Sequence, residues 1–240
     1  MTHWCWVDTP AQFDAQAAQV VAQALELNPK ATVALPTGRT PEGLYAELLR
    51  RGAQGAVELG SARYFNLDEY VGLGPRDPAS FAAYLQQRFL QPALVPASQV
   101  RLLRGDAADS AGECRDYDAA IAAAGGIDLA ILGLGANGHI AFNEPGADWN
   151  CRTHVARLTA QTRAAGGGGS ADGVPALGIT MGIATLREAT QVLLLVAGDS
   201  KRAALAAFGA GRALPEWPVT ALIDPPRLTV VCDRSLRTPP

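Results

Sequence analysis

The chain is short of the residues that mark several large function classes. Of its 20 basic residues only Lys30 and Lys201 are lysine, and the arginines are scattered. With a net charge of −3 and no basic stripe to follow a phosphate backbone, no nucleic-acid partner is expected. No run approaches the ~18 consecutive apolar residues of a transmembrane helix. The opening MTHWCWVDTP also lacks the basic-then-apolar layout of a secretory signal. No membrane partner and a cytoplasmic location are therefore expected. Cys5, Cys114, Cys151 and Cys232 contain no CxxC pair, so neither zinc nor redox chemistry is expected and the thiols read as reduced. Histidine is scarce as well, with only His3, His139 and His154.

What is present suits a folded protein. The 240 residues, 48% hydrophobic and 18% charged, suffice for one sizeable core in a single domain spanning 1–240. Thr9-Pro10 reads as an N-cap with proline at the first helical position, and apolar residues at helical spacing continue from Ala11 to Leu27. ATVAL (31–35), SARYFNLDEYVGL (61–73), QVRLL (99–103), IDLAILGLG (127–135), QVLLLVA (191–197) and LTVVC (228–232) read as strands. THVARL (153–158) reads as a further strand at one side of the sheet. Between them GLYAELLR, DPASFAAYLQQRFL, Ala107 to Ala124, GITMGIATLREA and a segment from Ser200 read as helices. This alternation predicts an α/β, Rossmann-like fold, a mainly parallel sheet with helices on both faces. The GGGGS tract, Gly166 to Ser170, reads as a mobile loop inside it.

Ligands of open parallel sheets sit beyond the carboxyl ends of the strands. Three polar clusters fall there: TGRTP (37–41), NLDEY (66–70) and GANGHIAFNEP (135–145). A fourth, AGDSKR, follows QVLLLVA. Thr37, Gly38, Arg39 and Thr40 offer backbone N–H groups, hydroxyls and a guanidinium at a helix start, a combination that can hold phosphate. A plain strand-to-helix turn would look the same. Lys201 stands at another helix start, where a lone lysine is equally at home in solvent. Asp68 and Glu69 are neighbours in an extended segment and so point oppositely, one towards a ligand and the other bracing the loop; as surface decoration they would need no explanation. Around His139, Gly133, Gly135 and Gly138 permit close backbone approach, and Asn137 and Glu144 can orient the ring. Such an imidazole suits general acid–base work, with a hydrogen-bonded structural histidine as the plain alternative.

NLDEYVGL, GANGHIAFNEPG and TGRTP, followed by CRTHV and GDSKRAAL, resemble the glucosamine-6-phosphate deaminases over nearly the whole chain. FNEP after the histidine sets the sequence apart from the 6-phosphogluconolactonases, which share the fold and a Gly-His element but lack the DEY. The resemblance implies a deaminase/phosphogluconolactonase-like fold and an enzyme of the hydrolase class acting on a small-molecule amino-sugar 6-phosphate. It would yield a ketose phosphate and ammonium with no metal or organic cofactor. Carried over by residue, Asp68 is the base that moves a proton between C2 and C1. His139 assists ring opening with support from Glu144, and Asn137 stands where many members have aspartate. Thr37, Gly38, Arg39, Thr40 and Lys201 form the phosphate site.

Three departures refine the expectation. An amide at Asn137 orients the imidazole without stabilising its cation, so His139 should have a lower pKa than in aspartate-bearing relatives. TRAAGGGGS lacks the phosphate-gripping arginine that the family usually carries there, and Arg39 is expected to supply the charge. His154 and Ala156 replace basic residues that serve an allosteric site in some members, so allosteric activation is not expected. Galactosamine 6-phosphate remains an alternative substrate. A non-catalytic phosphosugar sensor is disfavoured because no helix-turn-helix precedes residue 30, and a lactonase is disfavoured by FNEP. Whether the chain is a monomer or a homo-oligomer is left open.

Overall fold

Apolar runs too short for helices and buried on both sides assemble into a seven-stranded parallel sheet. The computed structural model describes residues 2–166, 171–223 and 227–237. In chain order the elements are β1 (Thr2–Val7), α1 (Pro10–Leu27), β2 (Thr32–Leu35), α2 (Glu42–Ala53), β3 (Arg63–Asn66), β4 (Asp68–Tyr70) and α3 (Phe81–Leu85), which runs on through a wider turn to Leu90. Then come β5 (Val100–Arg101), α4 (Ser110–Ala123), β6 (Leu129–Gly133), β7 (His154–Arg157), α5 (Ala160–Gly166), β8 (Leu177–Thr180), α6 (Ile183–Glu188), β9 (Gln191–Val196), α7 (Arg202–Gly209) and β10 (Leu228–Asp233). The large sheet has the order β1-β10-β9-β6-β2-β3-β5, every pairing parallel.

Side-chain alternation along the strands feeds two cores, as expected for a sheet covered on both faces. Val33, Leu35, Leu129, Ile131, Leu193 and Leu195 pack under α1, α2 and α3. Their neighbours Ala34, Ala130, Leu132, Val192, Leu194 and Val196 pack under α4, α6 and α7. Each fully buried leucine contributes roughly 1.5–3 kcal/mol from removal of apolar surface from water. The Thr9 hydroxyl caps α1 by accepting from the Gln12 N–H at 3.2 Å, with Pro10 in the first turn, as read from the sequence.

Several expectations are corrected. The first strand is Thr2–Val7, an edge strand outside the expected set, whose alternation of tryptophans with cysteine and valine hides the period. SARYFNLDEYVGL is two strands in two sheets, with Leu67 the one residue between them. β4, β8 and β7 form a separate antiparallel sheet, so THVARL lies outside the large one. GITMGIATLREA is not one helix: β8 ends at Thr180 and α6 begins at Ile183. Phe142 packs where a Cβ on Gly178 would stand, 2.5 Å from its ring, which suits the extended backbone there. Gly166 ends α5, and the rest of the GGGGS tract, 167–170, lies outside the described residues. No described helix is long and apolar enough to cross a membrane.

Candidate active site

The chain runs outward from β2 through β3 to β5, then returns to lay β6 against the other side of β2 before continuing through β9 and β10. The β2–β6 boundary is therefore the topological switch point, where open α/β sheets take their ligands. TGRTP leaves β2 there and GANGHIAFNEP leaves β6. NLDEY and GDSKR leave the flanking strands β3 and β9. Four clusters scattered over 160 positions of sequence thus come to four adjacent strand ends.

The turn after β2 is held from below. The Tyr84 hydroxyl donates to the Gly38 carbonyl at 2.7 Å, and the Tyr45 hydroxyl to the Pro36 carbonyl at 2.5 Å. Thr37 and Thr40 are half-buried and Arg39 is exposed, its guanidinium without an ion pair among the described residues. The Lys201 ammonium is half-buried, has no ion pair among the described residues, and is pushed to a lower pKa by desolvation. Its charge reaches His139.

Asp68 and Glu69 divide their work as the alternation of an extended chain requires. Glu69 is locked: its carboxylate accepts from the Ser80 hydroxyl at 2.7 Å and from the backbone N–H groups of Tyr70, Phe81 and Ala82 at 2.8–3.0 Å. It thereby ties β4 to the start of α3. Burial nonetheless raises its pKa against those bonds. Asp68 is only 7% exposed, and no described residue hydrogen-bonds its carboxylate. Desolvation, and then the Glu69 charge, push it up to about 8. Its neutral and ionised forms therefore interconvert close to neutrality, the range that general acid–base chemistry uses.

His139 is held instead by a chain of partners. Its Nδ1 lies 2.7 Å from Asn137 Oδ1, and Asn137 Nδ2 donates to Glu144 Oε2 at 2.8 Å. Because a carboxylate only accepts, the Asn137 NH₂ must face Glu144 and its oxygen must face the ring. Nδ1 therefore carries the proton, leaving the Nε2 lone pair free to accept one. Glu144 Oε1 takes the Thr159 N–H at 3.0 Å and the Thr159 hydroxyl at 3.2 Å. Thr162 Oγ1 adds a contact to Nδ1 at 3.2 Å. Desolvation lowers the His139 pKa; the Glu144 carboxylate, 3.8 Å from Nδ1, opposes this and Lys201 reinforces it. Only glycine fits at 135, where a Cβ would lie 2.4 Å from the imidazole. At Gly138 the φ is +84° and a Cβ would lie 2.7 Å from the Trp217 ring, which closes over the loop.

The expected His139–Asn137–Glu144 set is thus assembled, and Asp68, Lys201 and the TGRTP turn stand at neighbouring strand ends. The His154 Nδ1 lies 2.9 Å from the Arg152 carbonyl, and Ala156 is buried. Residues not singled out from the sequence also shape the site. Thr162 in α5 and Thr159 just before it bond the Glu144–His139 set. Asn143, fully buried, donates to the Ile140 and Met181 carbonyls at 2.9 and 3.0 Å and pins the turn after His139. FNEP was the available signal for Asn143; nothing local marks the two threonines. Among the described residues no group of three or more His, Cys, Asp and Glu is placed to hold a metal ion.

Known proteins resemble this chain in sequence and in fold. A glucosamine-6-phosphate deaminase of Rhodopirellula baltica is 40% identical over 223 residues, 92% of this chain and 89% of the relative. One from Shouchella clausii is 38% identical over 220 residues, 91% of this chain and 89% of the relative. The structure of a monomeric glucosamine-6-phosphate deaminase superposes with a TM-score of 0.94 at 37% identity, covering 98% of this chain and 100% of that one. A 6-phosphogluconolactonase from Thermotoga maritima, 18% identical with a TM-score of 0.77, shares the fold. Residues 8–231 match the profile of the glucosamine-6-phosphate isomerases/6-phosphogluconolactonase, and the chain belongs to that family.

Proposed function

We propose that the chain is a glucosamine-6-phosphate deaminase, converting glucosamine 6-phosphate and water to fructose 6-phosphate and ammonium, with residues 1–240 acting as one α/β domain. One observation carries the reading: Asp68, a buried carboxylate without a hydrogen bond from any described residue, lies two residues beyond the end of β3, and His139, whose Nδ1 is bonded to Asn137 so that Nε2 is left to accept a proton, lies in the loop after β6, the two strands that flank β2 and its TGRTP turn. The neutral imidazole takes the proton of the C1 hydroxyl and returns one to the ring oxygen, which opens the pyranose. Asp68 then removes the proton from C2 and delivers it to C1, while a proton passes from the C2 ammonium to the C1 oxygen, leaving a C=NH₂⁺ group at C2. Water adds to that carbon, and the C–N bond breaks with loss of ammonium. Thr37, Gly38, Thr40, Lys201 and Arg39 hold the phosphate, with the guanidinium of Arg39, which pairs with no described carboxylate, as a bidentate partner. Glu144, through Asn137, keeps His139 in its working tautomer. Four free cysteines suit a reducing, cytoplasmic setting.

The test is ammonium release from glucosamine 6-phosphate and galactosamine 6-phosphate, side by side, with Asp68→Asn as control. Release from the glucosamine substrate that is lost in the variant is the expected result. Release from the galactosamine epimer alone would reassign the substrate, and silence on both would overturn the deaminase reading.

A further inference from the structure

Where β3 ends, the chain changes sheets within a single residue. The Leu67 N–H still bonds the β2 side, to the Leu35 carbonyl at 3.1 Å, while the Leu67 carbonyl already accepts from Met181 N–H at 2.7 Å. From there Leu67, Glu69 and Val71 face the ladder towards β8, with Val71 N–H bonding the Leu177 carbonyl at 3.0 Å. In an antiparallel pair the intervening residue turns its own N–H and C=O away from that neighbour. Asp68 is that residue, paired with Thr180 across the ladder. β4 is also an edge strand, so no third strand fixes the Asp68 backbone.

A side chain takes the place of that strand. Asn66 Nδ2 donates to the Asp68 carbonyl at 2.7 Å. Asn66 Oδ1 accepts from the Leu103 N–H at 2.8 Å and lies 3.0 Å from the Tyr117 hydroxyl, which also donates to the Asn66 carbonyl at 2.7 Å. Asn66 and Tyr117 are both 0% exposed. The carboxamide has one orientation that satisfies these partners, because the Leu103 N–H demands an acceptor and the Asp68 carbonyl demands a donor. Glu69 fixes the opposite face of β4 and leaves the plane of the Asp68 peptide to Asn66.

We propose that Asn66, held by Tyr117, is a positioning residue that sets the direction of the Asp68 carboxylate for proton transfer between C2 and C1. The inference rests on the reading of Asp68 as that base. It predicts that loosening the amide slows the C–H step and leaves substrate binding alone, since a shift of about 1 Å in a reacting group can cost ~10²-fold.

The experiment compares Asn66→Ala, Tyr117→Phe and Asp68→Asn on glucosamine 6-phosphate carrying hydrogen or deuterium at C2. For Asn66→Ala, kcat should fall about 10- to 100-fold with KM within about twofold, and the deuterium isotope effect on kcat should rise as proton abstraction becomes limiting. Tyr117→Phe, which keeps the packing, should show a milder loss of about 3- to 10-fold with the isotope effect moving the same way. Should Asn66→Ala fail to fold, Tyr117→Phe decides alone. Activity that falls only with the folded fraction, isotope effect unchanged, would overturn the inference, as would wild-type kinetics in both variants beside an inactive Asp68→Asn. An active Asp68→Asn would instead remove the base reading on which the inference stands.

Discussion

The loop after β6 and the break between β3 and β4 hold the two ionisable groups at the centre of the site, and they hold them in opposite ways. His139 has its Nδ1 bonded to Asn137, a second contact from Thr162, and Glu144 behind both. The Asp68 carboxylate has no hydrogen bond from any described residue, and it is the backbone beneath it that is tied down. Burial favours the neutral form of each, raising Asp68 to about 8 and lowering His139. In the proposed reaction a proton shuttle on oxygen needs a fixed tautomer, which wiring through Nδ1 would supply. A base proposed to meet a C–H bond would gain from having no competing donor, so that only its direction is fixed.

Replacing Asp68 by asparagine should break the comparison most completely. Loss of a general base typically costs ~10²–10⁴-fold in rate, read in kcat for ammonium release. The same variant should be more stable at neutral pH. Asp68 titrates at about 8 in the fold, against about 3.9 when unfolded. A raised pKa contributes stability fully present below the unfolded value and lost as pH rises through the folded one. Urea midpoints of Asp68→Asn and the parent should therefore converge near pH 4 and separate, in favour of the variant, up to about pH 8. A gap independent of pH would mean that the carboxylate is not desolvated.

Arg39→Ala leaves Asp68 and His139 in place and tests whether the turn between them only binds. Removing a charge-assisted contact worth ~1.5–3 kcal/mol should raise KM for the phosphorylated substrate roughly 10- to 100-fold, with kcat little changed. An unchanged KM would dispose of Arg39 as the phosphate partner. Asn137→Asp acts on the other limb. A carboxylate where the amide oxygen now sits, 2.7 Å from Nδ1, should stabilise the imidazolium and raise the His139 pKa, visible by NMR titration. The acidic limb of kcat would then move to higher pH. A His139 that already titrates above its ordinary value in the parent would contradict the role given to Asn137.

Much of this was legible in the sequence. The strand ends bearing TGRTP, NLDEY and GANGHIAFNEP announce themselves because short apolar strands break into residues that have no use in a core. The division between Asp68 and Glu69 follows from the two-residue period of an extended chain. The second sheet was not legible, because β4 and β8 are three and four residues long and continue straight from or into other elements. A single glycine inside GITMGIATLREA decides between strand and helix only once Phe142 is known to lie on it. The same distance in sequence hides the partners of the site: Tyr117 reaches Asn66 across 51 positions, and Thr162 reaches His139 across 23.

Thr162→Val is the smallest of these perturbations and the sharpest probe of how firmly His139 is held. The hydroxyl lies 3.2 Å from Nδ1 and 3.1 Å from Thr159 Oγ1, in a side chain that is nearly buried and that valine matches in shape. Asn137, at 2.7 Å, is the closer partner and keeps the tautomer by itself. The loss should therefore be one weak hydrogen bond, ~0.5–1.5 kcal/mol or roughly two- to tenfold in kcat, with no change in KM and no change in the isotope effect at C2. A loss as large as that of Asp68→Asn would mean that α5, through Thr162, orients the imidazole as much as the β6 loop does. The contrast between a wired histidine and a bare aspartate would then extend to the segment that carries α5.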